Sequence, residues 1–309
     1  MQMLQDGVKK IQESEEYRRY LKIMSSFPEY SSRNILLIFQ QCPQATFVAG
    51  YQTWKNRFHR QVRRGEKAIR IFAPHICSNA ECDEEQTERR IGFHTISVFD
   101  VSQTEGEPLP SFMKIHSLEG EVEMYDELFE AICESGTFEV VFDELEEDQS
   151  GCCRYWDGVI RLKKGMSQLQ TIKTLIHETA HSILHNPYSH AESEFAGYVL
   201  ENANAREMEA ESVAFVVCSH FGLNCSEYSF SYVACWKQNE QFFEQSLRRI
   251  QKTADDLILS ISEKLFPEEP EDCCRISALS SSASLVPPAG RKSVRRRDFR
   301  DQKQEMFGA

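Results

Sequence analysis

Apolar residues recur at spacings of three and four in several stretches of this chain, which is the pattern of half-buried helices. This spacing predicts helices over residues 2–25, 30–42, 122–135, 167–185, 205–221 and 239–265. Short runs rich in β-branched and aromatic residues predict strands over residues 68–76, 92–101 and 138–142. The pair Asp157-Gly158 lies between two further short runs and indicates a hairpin.

A polar stretch containing glycine and two prolines follows residue 101 and has the composition of a connection. We therefore expect an α+β protein with a small α+β domain over residues 1–105 and a linker over 106–122. A second domain over 123–266 would combine helices with a small antiparallel sheet. The Ser-rich and Arg-rich residues 267–309 have the composition of a disordered basic tail.

Composition narrows the class of protein. Hydrophobic residues make up 41% of the chain and charged residues 27%, as in soluble globular proteins. Apolar runs are too short to span a bilayer, and the first ten residues are too polar for a signal peptide. We therefore expect a cytoplasmic protein without a membrane partner, whose eleven cysteines are reduced thiols. The net charge of −13 argues against attraction of nucleic acid by the whole surface, but it leaves room for a local basic patch.

The predicted helix over 167–185 contains the pattern His177-Glu178-x-x-His181. Residues four apart lie on one helical face, so the two imidazoles can bind one Zn²⁺ and leave a position open for water. Glu178 lies where it can take a proton from that water, as in zinc hydrolases. The alternative is two surface histidines beside a solvated glutamate.

A catalytic zinc site of this type needs a third protein ligand. The best stretch for it is the predicted helix after residue 205, where Glu207 and Glu211 share a face. One of them could bind the metal while the other orients a ligating imidazole. Glu209 points away from that face, and His185 extends the face of His181 but lies far along the helix axis. His190 and His220 have no supporting pattern.

A basic segment with interleaved aromatic residues occupies positions 47–72. Residues 55–70 carry seven positive charges and one negative charge. Cations neutralise phosphates and aromatic faces stack on unpaired bases, so the composition fits a groove for single-stranded DNA. A solvated basic loop beside core aromatics fits equally well. The candidate DNA-binding residues are Tyr51, Trp54, Lys55, Arg57, Phe58, Arg60, Arg63, Arg64 and Lys67.

Two resemblances extend these inferences. The zinc motif followed by Glu207-x-x-Ala210-Glu211 resembles the zinc peptidase domain of ImmA/IrrE-type proteins over residues 135–222. That resemblance implies that Glu207 is the third ligand and that Glu211 is a carboxylate of the surrounding shell. In the first half, four segments resemble the N-terminal domain of ArdC antirestriction proteins, which is regarded as a binder of single-stranded DNA. They are residues 34–46 (NILLIFQQCPQAT), 48–54 (VAGYQTW), 64–69 (RGEKAI) and 98–104 (VFDVSQT).

Together, these features favour a protein that binds single-stranded DNA and carries a zincin-like metallopeptidase domain. Its expected setting is protection of mobile-element DNA from restriction, and a protein substrate is a further possible partner. In the enzyme, zinc would polarise a peptide carbonyl while Glu178 activates water. One alternative is a non-catalytic DNA-binding protein in which zinc is structural. Another is a peptidase that cuts a regulatory protein and uses the N-terminal domain to bind a partner.

Overall fold

The computed structural model describes residues 11, 14–28, 30–77, 90–109, 117–118, 120–188, 194–226, 228, 230 and 240–266. The predicted α+β class is confirmed. The helices are α1 (Ser14–Ser26), α2 (Ser32–Gln41), α3 (Tyr51–Asn56), α4 (Tyr125–Ser135), α5 (Gln168–Leu184), α6 (Glu194–Glu201), α7 (Ala203–His220) and α8 (Glu240–Leu265). The strands are β1 (Val48–Gly50), β2 (Arg60–Val62), β3 (Ile69–Cys77), β4 (Arg90–Asp100), β5 (Thr104–Gly106), β6 (Ser117–Leu118), β7 (Glu121–Val122), β8 (Glu139–Asp143), β9 (Gly151–Arg154) and β10 (Val159–Lys163).

The N-terminal sheet is antiparallel in the order β1-β4-β3, and α2 packs against β3. Two amide side chains of α2 cover the outer edge of β3. Asn34 pairs with both backbone groups of Phe72 at 2.8 and 2.9 Å. Gln41 does the same with Arg70 at 3.0 and 2.9 Å. These side chains satisfy backbone groups that an uncovered edge strand would leave available to another chain.

The second sheet has the order β8-β10-β9 and is mixed, which differs from the expected antiparallel sheet. β9 and β10 form the predicted antiparallel hairpin around Gly158, whose φ of 68° suits glycine. β8, however, pairs parallel to β10. Residues 144–150 carry the chain past the end of β10 to β9, so β10 returns between β8 and β9 and runs parallel to β8.

Helix α5 lies between this sheet and helix α7, and it packs against α4 and α8 as well. Most of its residues are buried, so almost the whole helix is enclosed. Helix α6 lies between the predicted helices 167–185 and 205–221, where the sequence predicts no helix. Its Phe195 and Val199 are four apart and both buried, and Phe195 packs edge-on against Phe242 of α8.

The hydrophobic core is continuous between the first and second halves of the chain. The fully buried Tyr17 of α1 places its hydroxyl 2.8 Å from Ser212 and 3.1 Å from Met208, both on α7. The two expected domains, residues 1–105 and 123–266, thus pack directly against each other. The expected tail over 267–309, much of the linker and His190 lie outside the described residues. Within the described ranges, each helix is too short or too polar to cross a membrane.

Candidate metal centre

Helix α5 begins where the sequence predicts, with Ser167 as its N-cap. The Ser167 side chain accepts a hydrogen bond from the backbone N–H of Gln170 at 3.3 Å. From this start the helix runs unbroken to Leu184 and carries His177 and His181 on one face. Their rings are 4.7 Å apart between centroids, so the predicted pairing of the two imidazoles is present.

The carboxylate of Glu207 on α7 faces both imidazoles. Its two oxygens lie 3.4 Å from Nε2 of His177 and 3.4 Å from Nε2 of His181, while the two nitrogens are 3.0 Å apart. Tetrahedral zinc with bonds of roughly 2.0–2.1 Å separates its ligand atoms by about 3.3 Å. The three donors therefore fit a zinc-sized divalent ion. Among the described residues, they form the cluster able to hold a metal.

Glu207 and His177 stabilise each other's charges. The adjacent imidazoles of His177 and His181 hold the pKa of the Glu207 carboxyl well below its usual range. Burial acts to lower the pKa of His177, but its hydrogen bond with Glu207 and the nearby carboxylates of Glu178 and Glu211 raise it overall. The three carboxyl groups around the imidazoles, Glu178, Glu207 and Glu211, favour a cation at this position.

Glu178 lies at the wall of a cavity of about 720 Å³ that also contains His177, His181 and Glu207. Its side chain is buried, and the backbone N–H of Cys153 on β9 donates a hydrogen bond to its carboxylate. Burial raises the pKa of this carboxyl above its ordinary value. The group is therefore held beside the three donors by a neighbouring strand. The cavity is further lined by Lys173, Thr174, Arg206, Glu211 and Tyr228.

The other candidate ligands are not among the three converging donors. His220 has its Nδ1 2.9 Å from the backbone oxygen of Ser25, away from the cavity. Glu211 lines the cavity but is not one of the three converging donors.

His185 and Glu209, which the sequence analysis set aside as ligands, are not among the three converging donors, but they form a contact that the sequence did not predict. In the structure, His185 Nδ1 lies 2.9 Å from Nδ1 of His181, and its Nε2 lies 3.1 Å from the carboxylate of Glu209. Burial, together with the nearby side chains of His181, Arg249 and Arg206, keeps the pKa of His185 well below its ordinary value. The i, i+4 spacing of His181 and His185 was the available sequence signal for this contact.

In the basic segment, the structure corrects the role expected for Trp54. Its side chain is fully buried, and its indole N–H donates to the backbone oxygen of Phe99 at 2.9 Å. Phe47 packs edge-on against it, and Phe58 packs at a tilt. Trp54 therefore cannot stack on bases without unfolding this core. Tyr51 is exposed and retains an accessible face.

Two of the expected phosphate-binding arginines have structural partners. Arg60 donates to Thr104 and to the backbone oxygens of Gly106 and Glu107, which joins β2 to β5. Arg63 forms an ion pair with Glu66 at 3.0 Å. The remaining expected cations, Lys55, Arg57, Arg64 and Lys67, have exposed side chains.

Comparison with known proteins supports the resemblance of the N-terminal segment to ArdC proteins. Residues 1–99 match the family model for the N-terminal domain of the anti-restriction factor ArdC. An uncharacterized protein of Bacillus anthracis is 27% identical over 307 residues, covering 85% of this chain. The chain spans about half the length of that curated relative, at 50%.

Solved structures of the antirestriction protein ArdC from plasmid R388 are also similar. The metal-free crystal structure has a TM-score of 0.48 and 19% identity, covering 74% of this chain and 84% of that protein. The Mn(II)-bound structure has a TM-score of 0.49 and 18% identity, covering 75% and 85%. The expected similarity of residues 135–222 to ImmA/IrrE-type peptidases stays a prediction. Residues 1–99, about a third of the chain, are thus similar to the N-terminal domain of the anti-restriction factor ArdC.

Proposed function

We propose that this protein is a metal-dependent peptidase that acts in antirestriction, with a DNA-binding N-terminal domain. The observation that carries the enzymatic part is the convergence of His177, His181 and Glu207 with Glu178 beside them in one cavity. A structural metal site does not need a buried glutamate next to an open metal position. The antirestriction role rests on the match of residues 1–99 to the ArdC domain.

The three donors would hold a divalent ion, with zinc favoured by the two imidazoles and one carboxylate. Such an ion supplies Lewis-acid chemistry, which makes a water more acidic and polarises a carbonyl group. Glu178 would accept a proton from the attacking water at a carboxylate oxygen. It would return that proton to the leaving nitrogen as the C–N bond of the substrate breaks. The N–H of Cys153 would keep the carboxylate oriented during both transfers.

The position of β9 at the edge of its sheet, beside the cavity, favours an extended peptide as substrate. Gly151, Cys152 and Cys153 of β9 line it, and β9 pairs with β10 on one side within the described sheet. An extended chain could add to the other edge of β9 through the backbone groups there that do not bind Glu178. This arrangement would place a peptide bond beside Glu178 without requiring a particular side chain.

Glu178→Gln is the variant that tests the peptidase. Purified wild-type and variant protein should both contain about one zinc ion per chain, because Glu178 is not among the converging donors. Cleavage of labelled casein and of purified restriction endonucleases should be lost only in Glu178→Gln. Glu263→Gln is the matched control, since it makes the same change at an exposed position of α8. Equal cleavage by wild type and Glu178→Gln would rule out this mechanism.

DNA binding without catalysis is the second candidate function, and the exposed cations of the ArdC-type domain favour it. In this alternative, the metal stabilises the fold, and DNA that the protein covers escapes cleavage by restriction enzymes. Transformation of a restriction-proficient host with unmodified plasmid separates the two candidates. Protection lost in Glu178→Gln would favour the peptidase, whereas protection retained in that variant but lost with Arg64→Ala and Lys67→Ala would favour DNA binding.

A further inference from the structure

We propose that Glu209 and His185 form a buried relay that fixes the tautomer and orientation of His181. This inference rests on the proposed metal site and adds two positioning residues to it. The relay runs from the Glu209 carboxylate to Nε2 of His185 at 3.1 Å, and from Nδ1 of His185 to Nδ1 of His181 at 2.9 Å. The remaining nitrogen of His181, Nε2, faces Glu207 at 3.4 Å.

The direction of each hydrogen bond follows from the chemistry of its partners. An ionised carboxylate only accepts, and a neutral imidazole has one N–H and one acceptor nitrogen. Glu209 therefore requires the proton of His185 on Nε2, which leaves Nδ1 of His185 as an acceptor. His181 must then donate from Nδ1, which leaves its Nε2 lone pair directed at the metal position. The carboxylate sets the ligand's tautomer from two hydrogen bonds away.

Burial makes this relay a fixed feature of the core. The side chains of His185 and Glu209 are fully enclosed, so bulk water does not compete for their hydrogen bonds. Arg249 of α8 lies 3.4 Å from the same Glu209 oxygen and also donates to the backbone oxygen of Leu184. Arg249 therefore ties the Glu209 carboxylate to the C-terminal end of α5.

The relay differs from the common arrangement of a metal-ligating histidine. There, a carboxylate or carbonyl accepts directly from the second ring nitrogen of the ligand. Here the imidazole of His185 lies between the carboxylate and the ligand His181 and imposes the same tautomer. Residues from three helices form the relay. Helix α5 carries His181, with His185 as its C-cap, α7 supplies Glu209, and α8 supplies Arg249. Two glutamates of α7 thus act at opposite ends of the relay. Glu207 faces the metal position, and Glu209 accepts from His185.

The first test reads the tautomers directly in metal-free protein. Histidine-selective isotope labelling and long-range nitrogen–proton NMR at mildly alkaline pH should show His181 protonated on Nδ1 and His185 on Nε2. His181 protonated on Nε2 in the wild type would overturn the relay. This measurement needs neither bound metal nor a variant that folds, so it decides the relay even if the proposed metal site is wrong.

The second test uses Glu209→Leu, which keeps a side chain of similar size but removes the acceptor for Nε2 of His185. Zinc affinity, measured by competition with a chromophoric chelator, should fall roughly 10- to 100-fold. The tautomer of His181 should shift in the same variant, which a purely structural role of Glu209 would not cause. Glu263→Leu makes the same change at an exposed position of α8 and should leave both readouts unchanged. Wild-type affinity together with a wild-type tautomer in Glu209→Leu would overturn the proposal.

Discussion

Gly151 of β9 lies directly against Glu178 of α5. A Cβ added at position 151 would lie 3.1 Å from Cγ and 3.1 Å from Oε1 of Glu178, and 2.5 Å from Cγ2 of Thr174. The requirement here is space, because the φ of Gly151 is not among the positive values. This close approach brings β9 near enough for the N–H of Cys153 to donate to the Glu178 carboxylate. One small residue therefore determines how the strand and the proposed catalytic helix meet.

Gly151→Ala should destabilise the fold by about 1–3 kcal/mol, because the new methyl group forces the strand and helix apart. The same displacement should lower any peptidase activity, since Glu178 would move relative to the three donors. Urea unfolding measures the first effect. The control is Gly197→Ala on α6, where an added Cβ meets nothing within 4 Å. That change should be neutral or stabilising by up to about 1 kcal/mol. Equal stability of Gly151→Ala and wild type would contradict the packing argument.

Zinc should stabilise the folded protein through Glu207. A ligand present at 100 times its Kd adds about 2.7 kcal/mol to the free energy of unfolding when it binds only the native state. We expect zinc to raise the Tm of wild type and a chelator to reverse this rise. Glu207→Ala should remove the response, whereas Glu211→Ala should weaken it without abolishing it. A full response in Glu207→Ala would exclude Glu207 as a ligand.

The sequence was informative where spacing along one helix determines geometry. His177 and His181 lie together because residues four apart share a helical face. The contact of His185 with Glu209 depends instead on how α5 and α7 cross, which periodicity does not reveal. The parallel pairing of β8 with β10 was missed for the same reason, since strand order is a property of the assembled sheet.

The basic segment shows a second kind of limit. Aromatic residues among cations are expected both in a DNA groove and beside a core, and composition does not separate these cases. The structure places Trp54 in the core, where Phe47 and Phe58 surround it. Tyr51, only three residues earlier, is 44% exposed. Which aromatic residue is accessible depends on the packing of α3 against β1 and β4.

Trp54→Ala should therefore act on stability. Removing a buried tryptophan costs about 3–5 kcal/mol, and denaturant unfolding should show a loss of this size. Trp54→Phe keeps part of the packing but leaves the Phe99 carbonyl without its indole donor, so it should cost less. Tyr51→Ala is the exposed comparison and should change stability little. A fully stable Trp54→Ala protein with weakened DNA binding would instead restore the stacking role.

Cys225 should be a reactive thiol at neutral pH. The hydrogen bond from the Cys218 thiol lowers the pKa of Cys225 to about 7, although burial opposes this shift. Burial and the charge of Glu178 raise the pKa of Cys153 to about 12. Because the thiolate is the nucleophile, alkylation of Cys225 by iodoacetamide should rise as pH increases through 7. Cys153, which is also partly exposed, should stay slow at pH 8. Peptide mapping compares the two rates, and equal labelling at pH 8 would contradict the proposed environments.

DNA binding by the N-terminal domain should depend on its exposed cations, because the whole chain carries a net charge of −13. Arg64→Ala with Lys67→Ala should weaken binding to a single-stranded oligonucleotide. It should also flatten the plot of log affinity against log salt, by roughly 0.7 for each phosphate that the variant no longer neutralises. Fluorescence anisotropy at several salt concentrations measures both effects. Tyr51→Ala should weaken binding without changing the slope, since stacking releases no counterions.

The control for this experiment removes the same charge elsewhere. Arg248→Ala with Lys252→Ala takes two exposed cations from α8, so it alters net charge equally. If the basic segment binds DNA, this pair should retain wild-type affinity and slope. Arg60→Ala should lower stability, because Arg60 joins β2 to β5 through Thr104. Identical slopes for the Arg64/Lys67 pair and the α8 pair would show that the segment does not bind phosphates. Equal affinity for duplex and single strand would remove the preference for unpaired bases and leave general phosphate binding.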